Sequence, residues 1–237
     1  MLYALIFDVD GTLADTEEAH REAFNQAFEQ AGMDWHWDVP LYTELLQISG
    51  GRERLLHYWR QQRPDVQDVG GSGVRDTIAR LHELKTAAYE ARVGGGDLSL
   101  RPGVLALIEE AANAGLQLGI ATTTSPVNIA ALLRAALGPA WQHLFSVIED
   151  ASTAERKKPH PQVYLQTLRR LGRDAAECLA FEDSANGLQA ARGAGLATVI
   201  TPTGYTAAHD FTGALRVLPS LDGCTVADLR SWHKERA

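Results

Sequence analysis

Near the start of the chain an apolar run, Leu2 to Phe7, leads directly into Asp8-Val9-Asp10-Gly11-Thr12-Leu13. Two carboxylates two positions apart in an extended segment share one direction, and Gly11 permits a sharp turn after them. As the chain leaves the strand, the second carboxylate can turn toward the target of the first. Taken alone, Asp10-Gly11 is equally well a turn with a solvated acid. Three further groups follow apolar runs in the same manner. Leu118 to Ala121 leads to Thr122-Thr123-Thr124-Ser125 and a helical run from Pro126. Hydroxyls and N–H groups at a helix start could hold a phosphate, although Ser and Thr are also common helix caps. Lys157-Lys158-Pro159-His160-Pro161 could hold a lysine over a pocket through proline stiffness, or leave it as surface charge. Cys178 to Phe181 delivers Glu182-Asp183-Ser184. Adjacent acids at the end of a buried strand need a partner or a cation, and magnesium is the hard, oxygen-seeking choice. Chance could supply any one of these groups; their joint occurrence in this order carries the argument.

The elements that must position them are short apolar runs. Leu2 to Phe7, Leu116 to Ala121, Ser146 to Ile148, Cys178 to Phe181, Ala197 to Ile200 and Leu215 to Leu218 alternate with amphipathic stretches such as Gly103 to Ala114 and Val127 to Leu137. This pattern predicts an α/β fold, a Rossmann-like doubly wound parallel sheet covered on both faces. Ligands of such sheets sit at the carboxyl ends of the strands. Between Thr16 and Val93 the period becomes helical, through Ala23, Ala27 and Phe28, then Leu55, Leu56 and Trp59, then Ile78, Leu81 and Leu84. The expected organisation is a core of residues 1–15 and 97–237 with an inserted helical cap domain, 16–96. Asp15-Thr16 and Gly94-Gly95-Gly96 read as hinges, and Gly70-Gly71-Ser72-Gly73 as a flexible loop.

Composition narrows the partners. The 237 residues are 45% hydrophobic and 22% charged, with a formal net charge of −8. That balance argues against nucleic-acid binding through a basic face, while a local cluster of Lys and Arg can still serve a phosphorylated substrate. Cys178 and Cys224 form neither a disulfide framework nor a metal set, which points to a reducing cytosol. The start lacks the basic and long apolar regions of a signal peptide, and no later run could span a membrane. A cytoplasmic monomer is expected, with a small phosphorylated sugar as partner and neither nucleic acid nor membrane.

Together these residues resemble the haloacid dehalogenase superfamily of phosphotransferases. The nearest branch is the one that holds β-phosphoglucomutase and the CbbY-type sugar bisphosphatases, and the resemblance spans essentially the whole chain, cap included. It implies that Asp8 is the nucleophile and Asp10 the general acid/base, which also lends its backbone carbonyl to magnesium. Thr122, Thr123 and Lys158 match phosphate-binding residues; Lys158 is preferred to Lys157 because the family lysine directly precedes proline. Asp183 matches a direct magnesium ligand, supported by Glu182. In the cap, His20 either matches a histidine near the catalytic acid or is a surface residue. Ser49-Gly50-Gly51-Arg52-Glu53 resembles the branch's specificity loop, in which Gly51 is a substrate-side position and Arg52 suits a second phosphate by its planar donor fork; Arg52 or Lys85 taken alone reads equally as a helix-face charge. Lys85, followed by Tyr89, resembles a cap lysine at that same end, and Glu17 and Tyr42 could reach a sugar hydroxyl.

Trp35-His36-Trp37-Asp38, the Gly50-Gly51-Arg52 loop, the Thr122–Ser125 cluster and the tail from Thr201-Pro202 to Leu218-Pro219 are similar to the CbbY type rather than the mutases. Gln162, where an Asp often stands, and the Gly70–Gly73 insertion depart from the family pattern. The resemblance implies a magnesium-dependent phosphatase of a sugar bisphosphate, xylulose 1,5-bisphosphate, acting through an aspartyl-phosphate. The alternatives are a β-phosphoglucomutase-type mutase, a phosphatase of small monoesters such as phosphoglycolate, and a non-catalytic binding protein. Intact Asp8, Asp10, Lys158 and Asp183 argue against the last.

Overall fold

A computed structural model describes residues 1–63, 72–94 and 98–235. Its centre is a six-stranded parallel sheet of β1 (Ala4–Phe7), β2 (Gln117–Ala121), β3 (Val147–Glu149), β4 (Cys178–Glu182), β5 (Ala197–Ile200) and β6 (Arg216–Val217). The order across it is β3-β2-β1-β4-β5-β6. Between β1 and β2 lie α1 (Glu17–Gln30), α2 (Val39–Leu45), α3 (Gly51–Gln62), α4 (Ser72–Gly94) and α5 (Val104–Asn113). The remaining helices are α6 (Pro126–Leu137), α7 (Gln162–Leu171), α8 (Ala185–Gly193) and α9 (Val226–Glu235).

Strand residues alternate between two hydrophobic cores, as period-2 geometry requires. Leu5, Phe7, Leu118, Ile120, Leu179 and Phe181 pack with α5, α6 and α9. Ala4, Ile6, Ala121, Cys178 and Ala180 face α7 and α8. With both faces covered the strands must be apolar throughout, which explains the continuous runs in the sequence. Chain order reverses at β1, so its carboxyl end opens a crevice between β2 and β4. The register pairs Phe7 with Ile120 on one side and with Phe181 on the other. Asp8, Thr122 and the Glu182-Asp183 pair therefore leave the sheet level with one another.

The inserted helices own a separate core. Phe24, Phe28, Trp35, Trp37, Tyr42, Leu55, Tyr58, Ile78 and Leu81 cluster there. The non-helical Trp37 segment is tied to α1 because Asn25 exchanges two hydrogen bonds with the Trp37 backbone, at 2.7 and 2.9 Å. One sequence expectation needs correction. Ser72 and Gly73 belong to α4 rather than to a flexible loop: the buried Ile78 and Leu81 anchor that helix, and Thr77 Oγ1 donates to the Gly73 carbonyl at 2.8 Å. Gly94 is the last residue of α4. Gly70, Gly71, Gly95 and Gly96 lie outside the described residues. No helix among the described residues is long and apolar enough to cross a membrane.

Candidate active site

A cleft of about 540 Å³ opens where β1, β2 and β4 end, walled on the far side by the inserted helices. Asp8, Asp10, Thr122, Thr123, Lys158, Glu182 and Asp183 all line it. Asp8 continues the sheet ladder, its N–H donating to the Phe181 carbonyl at 3.0 Å. The segment before α7 brings Lys158 Nζ to 2.6 Å from Asp8 Oδ1 and 2.5 Å from Glu182 Oε1. Tyr164, on α7, donates its hydroxyl to the same Glu182 oxygen at 2.6 Å. Burial alone would lower Lys158, but Asp8 and Glu182 outweigh it and keep the ammonium charged. Burial pushes Asp8 up to about 7 against the pull of Lys158, with Glu182 adding to the rise. Burial, then Glu182 and Asp8, raise Asp183 well above the usual carboxylate range. Glycine is required around this cluster. A Cβ on Gly11, whose φ is +78°, would collide with the Asp183 carboxylate, and one on Gly187 with that of Glu182.

Asp10 sits in a different environment. Its Oδ1 accepts from Thr16 Oγ1 at 2.7 Å and lies 3.0 Å from His20 Nε2, while Oδ2 accepts from Thr124 Oγ1. His20, stacked on Tyr89 with ring centroids 4.1 Å apart, has its Nδ1 2.7 Å from Lys85 Nζ. Burial lowers Lys85 to about 8, which leaves it an ammonium at neutral pH. An ammonium only donates. His20 Nδ1 must therefore accept, and Nε2 carries the proton given to Asp10. Burial and the Lys85 charge hold His20 below its ordinary range, so it remains neutral. Burial opposes ionisation of Asp10, yet His20, Thr124 and Thr16 outweigh it and hold Asp10 well below the usual carboxylate range.

The cap residues divide into two groups. Glu17, His20, Gly51, Arg52 and Lys85 line the cleft. Arg52 is exposed there, whereas the Lys85 ammonium, expected to share its end of the substrate, is engaged by His20. Tyr42 does not line the cleft. It is fully buried against Phe24 and Trp37, donating to Glu17 Oε2 at 2.9 Å and accepting from Arg54 Nη1 at 3.2 Å. It orients two cleft residues instead of reaching a sugar. Arg54, which also donates to the Leu45 carbonyl at 3.1 Å, lines the cleft and escaped sequence reasoning. Its signal was the second arginine of Arg52-Glu53-Arg54. Thr16, Tyr164 and Asn186 were missed as well, and Thr124, read as one of the hydroxyls for phosphate, instead donates to Asp10. Asn186 Nδ2, at the start of α8, donates to the Gln47 carbonyl at 2.8 Å and to Ser49 Oγ at 3.1 Å, joining the core to the segment that leads into α3; of the expected Ser49–Glu53 loop, Gly51, Arg52 and Glu53 form the first turn of that helix.

Asp8, Glu182 and Asp183 each offer a carboxylate oxygen within 4.8 Å of the others. Three acids face the one ammonium of Lys158, and Glu182 Oε2 is buried with no hydrogen-bond partner among the described residues. An all-oxygen, anionic set suits a hard divalent cation, so these residues fit the metal that the sequence implies.

A phosphoryl group brought to Asp8 would meet Lys158 on one side and the hydroxyl-rich start of α6 on another, the surroundings of a phosphoric monoester hydrolase. The chain belongs to the haloacid dehalogenase-like hydrolase family, whose model matches residues 3–195. It is 53% identical over 248 residues to protein CbbY, plasmid, of Cupriavidus necator, across 98% of this chain and 97% of that protein. The crystal structure of CbbY from Rhodobacter sphaeroides in complex with phosphate superposes with a TM-score of 0.88 at 42% identity, covering 97% of this chain and 100% of that one. A mutant of CbbY from Rhodobacter sphaeroides in complex with xylulose-(1,5)bisphosphate gives 0.89 at 43%, over 97% and 99%.

Proposed function

We propose that this phosphatase hydrolyses a sugar bisphosphate, xylulose 1,5-bisphosphate foremost, through an aspartyl-phosphate on Asp8 with magnesium as its metal ion. The observation that carries the reading is Lys158 bridging Asp8 and Glu182 at 2.6 and 2.5 Å beside the three-carboxylate cluster. The substrate follows from the Rhodobacter sphaeroides complex and from Arg52 and Arg54, two guanidinium groups on the cleft wall remote in sequence from Asp8. The reading divides the chain at 15/16 and 96/97 into core and cap. Low cysteine content supports a cytoplasmic location, and a monomer completes it.

A carboxylate approaching a phosphate meets about 4 kcal/mol of repulsion per unit-charge pair at roughly 4 Å and an effective dielectric of about 20. Uncompensated, that slows attack on the order of a thousandfold. Lys158 offsets it at Asp8 and, with Thr122 and Thr123, orients the phosphoryl oxygens. Magnesium held by Asp8, Asp183 and the Asp10 carbonyl, with Glu182 in support, would supply further neutralisation of that charge. Asp8 attacks phosphorus, and the P–O bond to the sugar breaks as Asp10 gives a proton to the departing oxygen. For that step Asp10 must be protonated; His20 can pass its Nε2 proton across 3.0 Å only as the Lys85 ammonium, 2.7 Å from Nδ1, gives up one in its place, so that the imidazole stays neutral and the charge is lost at Lys85. Asp10, again a carboxylate, then takes a proton from the water that opens the aspartyl-phosphate. The test is a phosphate-release screen over sugar mono- and bisphosphates, with and without magnesium. Magnesium-dependent preference for xylulose 1,5-bisphosphate, reduced in Arg52→Ala, is the expected result. Equal or better turnover of small monoesters contradicts it.

A further inference from the structure

Among the described residues, two of the buried side-chain polar atoms that lack a hydrogen-bond partner belong to residues lining the cleft. One is Glu182 Oε2, which belongs to the carboxylate cluster that fits a cation. The other is Oδ1 of Asn128. Asn128 is the third residue of α6 and only 5% exposed; its backbone N–H donates to the capping Ser125 Oγ at 3.3 Å. The backbone is therefore fixed while the carboxamide oxygen is left unpaired, an unfavourable state that native proteins rarely keep without a ligand or water.

The position says which ligand group could relieve it. Thr124, just ahead of the Ser125 cap of α6, donates to Asp10, the residue that faces the departing oxygen. α6 also packs on α4, the helix whose Lys85 reaches Asp10 through His20. Asn128 thus belongs to the wall beside the leaving group. An orphaned carbonyl needs a donor, and ionised phosphate oxygens have none to give, whereas a hydroxyl does. Rotation about the Cβ–Cγ bond, a soft torsion, exchanges Oδ1 with the amide nitrogen, so the same side chain can accept from one hydroxyl or donate to another. We infer that Asn128 is a specificity-determining residue that hydrogen-bonds a hydroxyl on the carbon chain of the leaving alcohol, selecting polyol phosphates over esters that lack one. This rests on the sugar-phosphate reading of the same cleft.

The experiment compares kcat/KM for the polyol phosphate that the wild type turns over fastest with that for ethyl phosphate, an ester whose alcohol carries no further hydroxyl. In Asn128→Leu, nearly the same size but apolar, the ratio falls by about tenfold or more, the worth of one hydrogen bond to a buried group. The unfolding midpoint of the substrate-free variant is equal to or above that of the wild type, since an unpaired buried amide has been removed. Should the Leu variant not fold, Asn128→Ala is judged by the same ratio. A ratio unchanged from the wild type overturns the inference alone. A wild type that prefers no polyol phosphate over ethyl phosphate overturns the sugar reading, and this inference with it.

Discussion

Lys85 is 5% exposed, and its ammonium lies 5.0 and 5.2 Å from the ring centres of Tyr89 and Phe24. Those contacts and His20 do not fully replace water, so burial lowers it from 10.5 to about 8. At 1.36 kcal/mol per unit, the folded protein at pH 7 carries a penalty of roughly 3 kcal/mol at this residue. The folded value lies below the unfolded one, so between about 8 and 10.5 the unfolded chain binds a proton that the folded chain releases. Stability owed to this group therefore rises with pH across that window and is lowest below it. Lys85→Met keeps the aliphatic packing and removes the charge. Allowing about 1 kcal/mol for the lost hydrogen bond to His20, the variant should be about 2 kcal/mol more stable at pH 7. The gain should vanish or reverse above pH 10. Activity moves the other way. Without Lys85 at Nδ1, His20 loses both the partner that holds its Nε2–H toward Asp10 and the proton that replaces the one passed on, and kcat/KM should fall roughly 10- to 100-fold. Urea unfolding followed by tryptophan fluorescence at both pH values, with steady-state kinetics, reads both effects. A variant less stable than the wild type at pH 7, or a stability difference independent of pH, refutes the reasoning.

Lys158→Met removes the ammonium between Asp8 and Glu182; it should cost about 3–5 kcal/mol of stability and lower kcat/KM on the order of a thousandfold, read by urea unfolding and initial rates. Gly187→Ala drives a methyl group into the Glu182 carboxylate, so the magnesium concentration for half-maximal activity should rise about 10- to 100-fold; an unchanged titration contradicts the placement of Glu182. Asn186→Ala deletes both hydrogen bonds from α8 to the Gln47–Ser49 segment. At about 1 kcal/mol each, KM for the preferred bisphosphate should rise on the order of tenfold, and an unaltered KM would remove this contact from substrate closure.

The sheet was legible because a parallel strand buried on both faces must be apolar at every position, as in Leu179-Ala180-Phe181. That legibility extends to the residues just past each strand, since the sheet delivers them to one crevice. It ends where partners are distant in the chain. Nothing local joins Asp10 to Lys85: the link runs through His20, a residue that sequence left balanced between site and surface. Tyr42 misled because a tyrosine hydroxyl suits a sugar, while the aromatic cluster of Phe24 and Trp37 turns the ring inward. Ser72-Gly73 read as a loop because glycine composition hides a helix that Ile78 and Leu81 hold by packing.

The covalent role of Asp8 is the claim on which the rest depends, and rapid acid quenching during turnover tests it most directly. Labelled phosphate from the substrate should be recovered on the Asp8 peptide at early times, increase when the second step is slowed, and be absent from Asp8→Asn, which should not turn over. Label found on another residue, or continued turnover of substrate by Asp8→Asn, would contradict it.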